Sequence, residues 1–526
     1  MKKISIIKEN YYSIFLILYL LVGIFVSMNV GITHDEPHSN WVWELNKKKL
    51  SNLFLSTNYD INNLNTYHGY YGVGQYFISE PFDFLLSLFF NQDNVNQEGR
   101  ILLFKHPTVF LFYFVSGIFF RKLIFLSVKN KNFANLSTIL FLTYPYILGH
   151  SFFNIKDIPF MSIWVLCTYY LIKNLNNLFN KNTFKIKDLL ILSISTSFLL
   201  SIRINGIIIF LEYLIFLIFY LNVFKINLLS FVIRIKKEIF LFLSTFLITT
   251  YLLYPNFWDD PKKFFDAIIF FSKHIQTVCT VTLGECMPTQ DLPPSYIFIW
   301  LLFKLPILIL FGLILFPILE KKLFLSKNNI LILGSLIATV LSIILIFILF
   351  KVNLYDEIRQ ILFLMPLIFI ISLTLLFNFK KKLSKYLVSI FIIFFVVQNV
   401  QIFPYNYLWL NNFNILINVN KNFELDYWGV STKNIASFLN SESADEKICI
   451  ISNRNNGIKY YTYNQNKCFK PFNTLHQKNE RPFYVVLTER ALRKGVPNGC
   501  SIINEEKMKL NFSKEEIVLA KIYKCI

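Results

Sequence analysis

Long apolar stretches separated by short polar intervals fill the first 403 residues of the chain, after which the pattern changes. A helix needs about 20 apolar residues to cross a bilayer. Eleven stretches predict spans on that rule, at 11–30, 101–120, 133–149, 158–174, 188–204, 206–224, 239–255, 295–318, 329–350, 358–378 and 386–403. The intervals alternate in charge. Basic residues gather at Lys2/Lys3/Lys8, Arg121/Lys122, Lys181/Lys185/Lys187, Arg234/Lys236/Lys237, Lys321/Lys322 and Lys380/Lys381/Lys382. Cytoplasmic loops of membrane proteins carry such an excess of Lys and Arg. The alternation therefore predicts a cytoplasmic N-terminus and, with an odd number of spans, an outside C-terminus. The first stretch lacks a small-residue cleavage site and reads as an uncleaved helix, not a signal peptide.

From about residue 404 the apolar runs shorten to strand length, as in Ile448-Cys449-Ile450-Ile451 and Phe483-Tyr484-Val485-Val486-Leu487, with helix-like pieces such as Ser431 to Leu439 between them. The expected architecture is a polytopic α-helical membrane domain, 1–403, followed by an α/β extracytoplasmic domain, 404–526. The larger outside loops fall at 31–100, 150–157, 255–294 and 351–357. In the first of them, Tyr67 to Gly72 reads as a turn and Glu80 to Phe90 as an amphipathic helix lying on the membrane surface.

Composition changes this picture little. Hydrophobic residues make up 55% of the 526, which is too apolar for a soluble enzyme of this size. The net charge of +20 would suit nucleic acid, but the bases sit in the loops between apolar runs and form no separate patch. Cys449, Cys468, Cys500 and Cys525 lie in the C-terminal domain and Cys279 with Cys286 in one outside loop, with only Cys167 inside a span. Even numbers in outside segments fit disulfides in an oxidising compartment, and no CxxC zinc spacing occurs.

The candidate chemistry lies on the outside face. Asp35 and Glu36, flanked by His34 and His38, follow the first span at once. A carboxylate there could act as a general base, worth roughly 10²–10⁴ in rate, or could be a solvated or helix-capping group. In the block His150 to Pro159, Asp157 could orient an acceptor or hold a metal and Lys156 could neutralise a phosphate. An N-cap before Pro159 is the plain alternative. Arg203 and Arg359 stand at outside helix ends, where arginine either snorkels to water or forks around phosphate oxygens. Asp259-Asp260 reads as a turn and helix start before Pro261. No P-loop, GxGxxG, HExxH or GxSxG pattern is present. One base with several cations suits an inverting transfer from a sugar phosphate. Its leaving group is already a good anion, whereas glycoside hydrolases need two carboxylates.

Taken in order and sidedness, these blocks resemble the GT-C membrane glycosyltransferases of the protein O-mannosyltransferase and aminoarabinose transferase type, particularly their bacterial relatives. The similar elements are Asp35-Glu36, Gly149-His150 through Lys156-Asp157-Ile158-Pro159, Arg203-Ile204-Asn205-Gly206, Tyr355-Asp356-Glu357-Ile358-Arg359, and Phe423 to Gly429 after the last span. The resemblance implies a polyprenyl-phosphate sugar donor and a glycan, lipid or protein acceptor at the outer face of a bacterial inner membrane. It implies Asp35 as the base with Glu36 beside it and Asp157 near the acceptor or a metal. Lys156, Arg203 and Arg359 would lie near the donor phosphate, and His150 and Tyr355 in the substrate site. A divalent metal ion is an open possibility, since metal dependence varies in the superfamily. Gln360 stands where a His is expected after the arginine. The other readings are a transporter or lipid flippase, which would favour inverted repeats and midplane charges, and a receptor or assembly factor with an outside sensor domain.

Overall fold

Apolar side chains set the helices, and prolines decide where they break. A computed structural model describes all residues except 1, 56–66, 182, 274–277, 324, 443–447, 463–466, 476–481, 497 and 511–514. Parts of the expected 31–100 and 255–294 loops lie outside the described residues. The first nine helices are α1 (Lys2–Ser27), α2 (Asp35–Leu55), α3 (Tyr76–Phe89), α4 (Gln97–Val128), α5 (Lys131–Thr143), α6 (Pro145–Ser151), α7 (Asp157–Lys181), α8 (Ile186–Ile202) and α9 (Ile209–Phe224).

Among the described residues six helices are long and apolar enough to cross a membrane: Gln97–Val128, Asp157–Phe179, Ile204–Phe224, Lys327–Leu349, Arg359–Phe379 and Lys381–Ile402. Counting the pair Ser295–Lys304 and Ile307–Ile314 as one broken span gives seven. By length and composition this matches seven of the eleven expected stretches, while 11–30, 133–149, 188–204 and 239–255 fall short of the test among the described residues, and three features bear on the count. Pro145 has no N–H to continue a helix, so the 133–149 run divides into α5 and α6. Pro306 follows Lys304 and Leu305, where the 295–318 run bends by 119°. Finally, α8 has 17 residues, about 26 Å of helix, which falls short of a hydrocarbon core about 30 Å thick.

Much of the expected 31–100 loop is helical. In α3 the usual amphipathic arrangement is turned round. Ser79 and Asp83 are buried, while Phe84, Leu85, Leu88 and Phe89 are exposed, which suits a helix lying against lipid. Its polar face meets buried Lys105 of α4, whose ammonium is 3.0 Å from Glu80 and 3.5 Å from Asp83. Glu212, inside the candidate span Ile204–Phe224, is held by neutral donors instead. The Glu212 carboxylate accepts hydrogen bonds of 2.6 Å from both Trp164 Nε1 and Thr168 Oγ1.

Beyond the helices, β1 (Cys279–Thr282) and β2 (Glu285–Pro288) form a hairpin. A second sheet has the order β4-β3-β5-β7-β6, built from β3 (Ile448–Ser452), β4 (Lys467–Pro471), β5 (Phe483–Thr488), β6 (Cys500–Met508) and β7 (Ile517–Cys525). Strands β4, β3 and β5 run parallel, while β7 and β6 are antiparallel to their neighbours. With the helices Thr432–Glu442 and Asn455–Tyr461 this makes an α/β unit. Disulfides join Cys279 to Cys286, Cys449 to Cys468 and Cys500 to Cys525, and Cys167 is buried and free. The last bridge ties β6 to β7 across a separation of 25 residues. Its removal in a Cys500→Ala/Cys525→Ala variant is expected to cost roughly 3 kcal/mol of domain stability, read as a lower midpoint in denaturant. An unchanged midpoint would show that the bridge does not restrain the unfolded chain.

The packing boundary between the two bodies falls later than 404. Tyr405, Tyr407, Trp409, Phe423, Tyr427, Trp428 and Val430 all belong to the core of the helical body. The separate cores of the sheet unit use residues such as Ile435, Ile450 and Val486, together with Ile451 and Val485. Ile32, Leu102 and Leu103 join the first of these cores, so the two bodies interlock.

Candidate active site

The segment after α1 is held by the C-terminal part of the chain. A Cβ on Gly31 would lie 2.5 Å from the Val430 carbonyl oxygen, so only glycine fits there. Ile32 N–H donates to Tyr461 Oη and His34 N–H to the Trp428 carbonyl. The sequence Thr33-His34-Asp35-Glu36 then starts α2 as a capping box, in which Glu36 Oε1 accepts from Thr33 N–H at 2.7 Å. The other Glu36 oxygen lies 2.8 Å from His106 Nε2, and His106 Nδ1 lies 3.0 Å from the Ser27 carbonyl. Glu36, expected as a second catalytic carboxylate, is fully buried and committed to this turn. One residue is 100° of helical rotation, so Asp35 faces elsewhere. Its side chain is 42% exposed and its Oδ2 lies 3.2 Å from Arg359 Nη1.

Arg359 is buried, and both terminal nitrogens and both faces of its guanidinium are engaged. Nη2 pairs with Asp356 at 3.0 Å, and the plane lies 4.8 Å from the Tyr355 ring and 4.5 Å from the Trp428 ring. Its approach requires a tight backbone, with Asp356 and Glu357 both left-handed at φ 53° and 66°. Such conformations cost non-glycine residues roughly 1–2 kcal/mol each. The turn is held by Tyr296 Oη, which donates to the Glu357 carbonyl at 3.0 Å, and by the buried pair of Lys304 with Glu357 at 2.8 Å. Gln360 donates to the Tyr355 carbonyl at 2.8 Å and so braces the same turn. Burial alone would raise the Asp35 carboxyl. Arg359 first, then His34 and Lys156, outweigh it and hold Asp35 down at about 2.

The 150–157 segment supplies the other cations. A Cβ on Gly149 would meet Tyr407 N at 2.1 Å, and this close approach seats His150 in the core. Asn154 Oδ1 accepts from Asp157 N–H at 3.0 Å and caps α7, while its amide donates to Asp157 Oδ2 at 2.9 Å. Asp157 Oδ1 pairs with Arg203 Nη2 at 2.5 Å. Lys156 reaches over the Tyr71 ring, 4.7 Å from its centroid. Burial lowers the Lys156 ammonium to about 8, with Asp35 and Asp157 opposing the shift and Arg203 and Arg359 adding to it. A buried polar chain continues inward. Asn154 Nδ2 lies 3.1 Å from His150 Nδ1, Tyr427 Oη lies 3.4 Å from His150 Nε2, and Tyr427 Oη donates to Glu357 Oε2 at 3.3 Å. Burial holds His150 well below its ordinary range, so the ring is neutral and can accept at Nδ1 and donate at Nε2.

Asp35, Lys156, Asp157, Arg203, Tyr355 and Arg359 thus meet at one end of the helical body. His150 stands behind them, and Glu36 is set in the helix start. Three carboxylates, Asp35, Asp157 and Asp356, balance the three cations Lys156, Arg203 and Arg359. Each carboxylate faces an arginine, and among the described residues no group of three or more His, Cys, Asp and Glu is arranged to hold a metal ion. Asp259 lies apart, paired with Lys49, and Asp260 accepts from Lys262 N–H as a turn residue. Tyr427 and Trp428 stand in the Phe423 to Gly429 segment, for which the sequence suggested no role at this site, and Lys304 is a further member. A lone lysine inside the apolar 295–318 run is a signal that could have found the last.

No family model matches the chain, and no curated protein does. Among solved structures it is similar to ArnT from Cupriavidus metallidurans bound to undecaprenyl phosphate, at 10% identity over 98% of each chain with a TM-score of 0.44. It is similar to the same protein in the apo state, at 10% identity over 99% of this chain and 98% of that one, with a TM-score of 0.45. It is also similar to the Archaeoglobus fulgidus oligosaccharyltransferase in complex with Zn and sulfate, at 10% identity over 89% of this chain and 68% of that one, with a TM-score of 0.39.

Proposed function

We propose that this chain is an integral-membrane glycosyltransferase. It would move a sugar from a polyprenyl-phosphate donor to an acceptor hydroxyl, with inversion, at the outer face of a bacterial inner membrane. The observation that carries the reading is the half-exposed carboxylate of Asp35 beside Arg359, with Lys156 acting on it electrostatically and Arg203 on Lys156. Three of the neighbouring segments begin or adjoin candidate spans, at Asp157, Ile204 and Arg359. A lipid-borne phosphate could therefore reach the cations from the bilayer.

In this reading the acceptor oxygen attacks the anomeric carbon as Asp35 takes its proton. The bond between that carbon and the phosphate oxygen breaks, and the phosphodiester monoanion leaves as a phosphomonoester dianion. The extra negative charge falls on Arg359, Lys156 and Arg203, which are already in position and need little reorganisation. Asp35 is a weak base while Arg359 holds it at about 2. The arriving phosphate competes for Arg359, and as that pairing loosens Asp35 becomes more basic. The donor thereby prepares the base that its own transfer requires.

The test is transfer by the purified protein in liposomes carrying polyprenyl-phosphate sugars, with mass spectrometry of glycolipids and glycoproteins from cells with and without the gene. Donor consumption without any glycosylated product would refute the reading. Uptake of substrate into sealed vesicles lacking an acceptor would support a transporter instead.

A pH dependence follows from Lys156. Its ammonium is charged below about 8 and neutral above, so kcat/KM for the donor is expected to fall as the pH rises through that value. Lys156→Arg stays protonated past pH 12 and should remove this limb. If the limb persists in the arginine variant, the titrating group lies elsewhere.

A further inference from the structure

A cavity of about 260 Å³ opens at the seam between β1, the 420–425 segment, the Leu492-Arg493 turn and strand β7 of the C-terminal sheet. This volume is just below the range of roughly 300–1,000 Å³ typical of ligand pockets. Its walls divide by chemistry. Phe423, Leu425 and Leu492 supply apolar surface, Glu424 is a carboxylate only 4% exposed, and Arg493 and Lys521 bring two cations. The charged end of each cation has a partner in the protein. Arg493 donates to the Lys421 carbonyl at 3.1 Å, and Lys521 lies 3.5 Å from Glu505. Backbone pairing closes one side, with Glu424 N–H donating to the Val281 carbonyl and Phe423 bridging Thr282.

We propose that this cavity binds an acidic sugar unit of the acceptor, a ring bearing a carboxylate or a phosphate. A buried carboxylate accepts hydrogen bonds from ring hydroxyls, apolar side chains meet the C–H face of the ring, and the two cations hold the acidic substituent by charge-assisted bonds. The position fits an extended acceptor. Glu424 is four residues before Trp428, which packs on Arg359, so the two lie within about 15 Å along the chain. The word acceptor rests on the glycosyltransferase reading, whereas the binding of an acidic sugar does not.

The experiment is saturation-transfer NMR on the full-length protein in detergent micelles, with glucuronate, glucose 6-phosphate and glucose as probes. At least one acidic sugar is expected to bind better than glucose. Arg493→Ala/Lys521→Ala should weaken that binding about tenfold and leave glucose unchanged, while Glu424→Gln should weaken all three. Which acidic probe binds tells a carboxylated from a phosphorylated unit. No transfer to any probe, or equal acidic-sugar binding with and without the two cations, overturns the proposal. Asp35→Asn should bind these probes normally. If it binds them and also still transfers sugar, the assignment of the base fails and the pocket stands.

Discussion

Replacing Asp35 by Asn is expected to lower sugar transfer by roughly 10²–10⁴, the usual contribution of a general base, in a protein that still folds. Asn keeps the shape and removes the proton-accepting charge. Asp35 does not cap its own helix, since Thr33 and Glu36 do that, and Arg359 retains Asp356 as a partner. The adjacent change Glu36→Gln should behave in the opposite way. It weakens the bonds to Thr33 and His106 and so should lower the melting temperature more than it alters the chemical step. Neighbouring carboxylates with such different outcomes would separate catalysis from helix capping. The pH profile offers a second reading. In the free enzyme Asp35 stays ionised down to about 2, so kcat/KM should show no acid limb from it at moderate pH. With donor bound, Arg359 is shared with the phosphate and the limb in kcat should move upward. An Asp35→Asn protein that retains a tenth or more of the transfer rate would end this assignment.

Arg359→Ala is expected to produce the second largest loss, about 10²–10³ in kcat, comparable to removing one preorganised donor from an anion-stabilising site. Two effects oppose each other in this variant. The phosphate loses its best-held cation, and Asp35 loses the charge that depresses it, so it becomes more basic. The first should win, because an unstabilised dianion is the larger barrier. Lysine should restore only part of the rate. It presents a point charge that cannot bridge Asp35 and Asp356 together or lie flat between Tyr355 and Trp428. Added guanidinium should rescue the alanine variant but not Asp35→Asn. Rescue of neither, with a lowered melting temperature, would assign Arg359 a purely structural role.

The residues around this site differ in how far the amino-acid order revealed them. Asp35, Lys156, Arg203 and Arg359 stand out in the sequence because charge at the end of an apolar run is uncommon, and the structure brings them to one end of the helical body. The contact of Glu36 with Thr33 is local, three positions away, and its contact with His106 is not. Trp428 was not legible as a partner of Arg359, since 69 positions separate them and stacking leaves no periodic trace. The described helices match fewer spans than the apolar runs suggest for a related reason. Apolar runs such as α5 and α6 are buried within protein, and there a run need match no bilayer thickness. The alternation of strands and helices near the C-terminus, by contrast, follows from local pattern, and the adjacent-strand positions of four cysteines agree with it.

The late packing boundary has a consequence for exchange between proteins. Tyr427 and Trp428 travel with the C-terminal portion of the chain yet pack against Glu357 and Arg359 of the membrane portion. A chimera joined at residue 404 would place foreign residues against Arg359, whereas one joined after Ser431 would keep Tyr427 and Trp428 and replace the α/β unit with its two helices. The later junction is therefore the one at which an exchanged unit is expected to leave the surroundings of Arg359 intact.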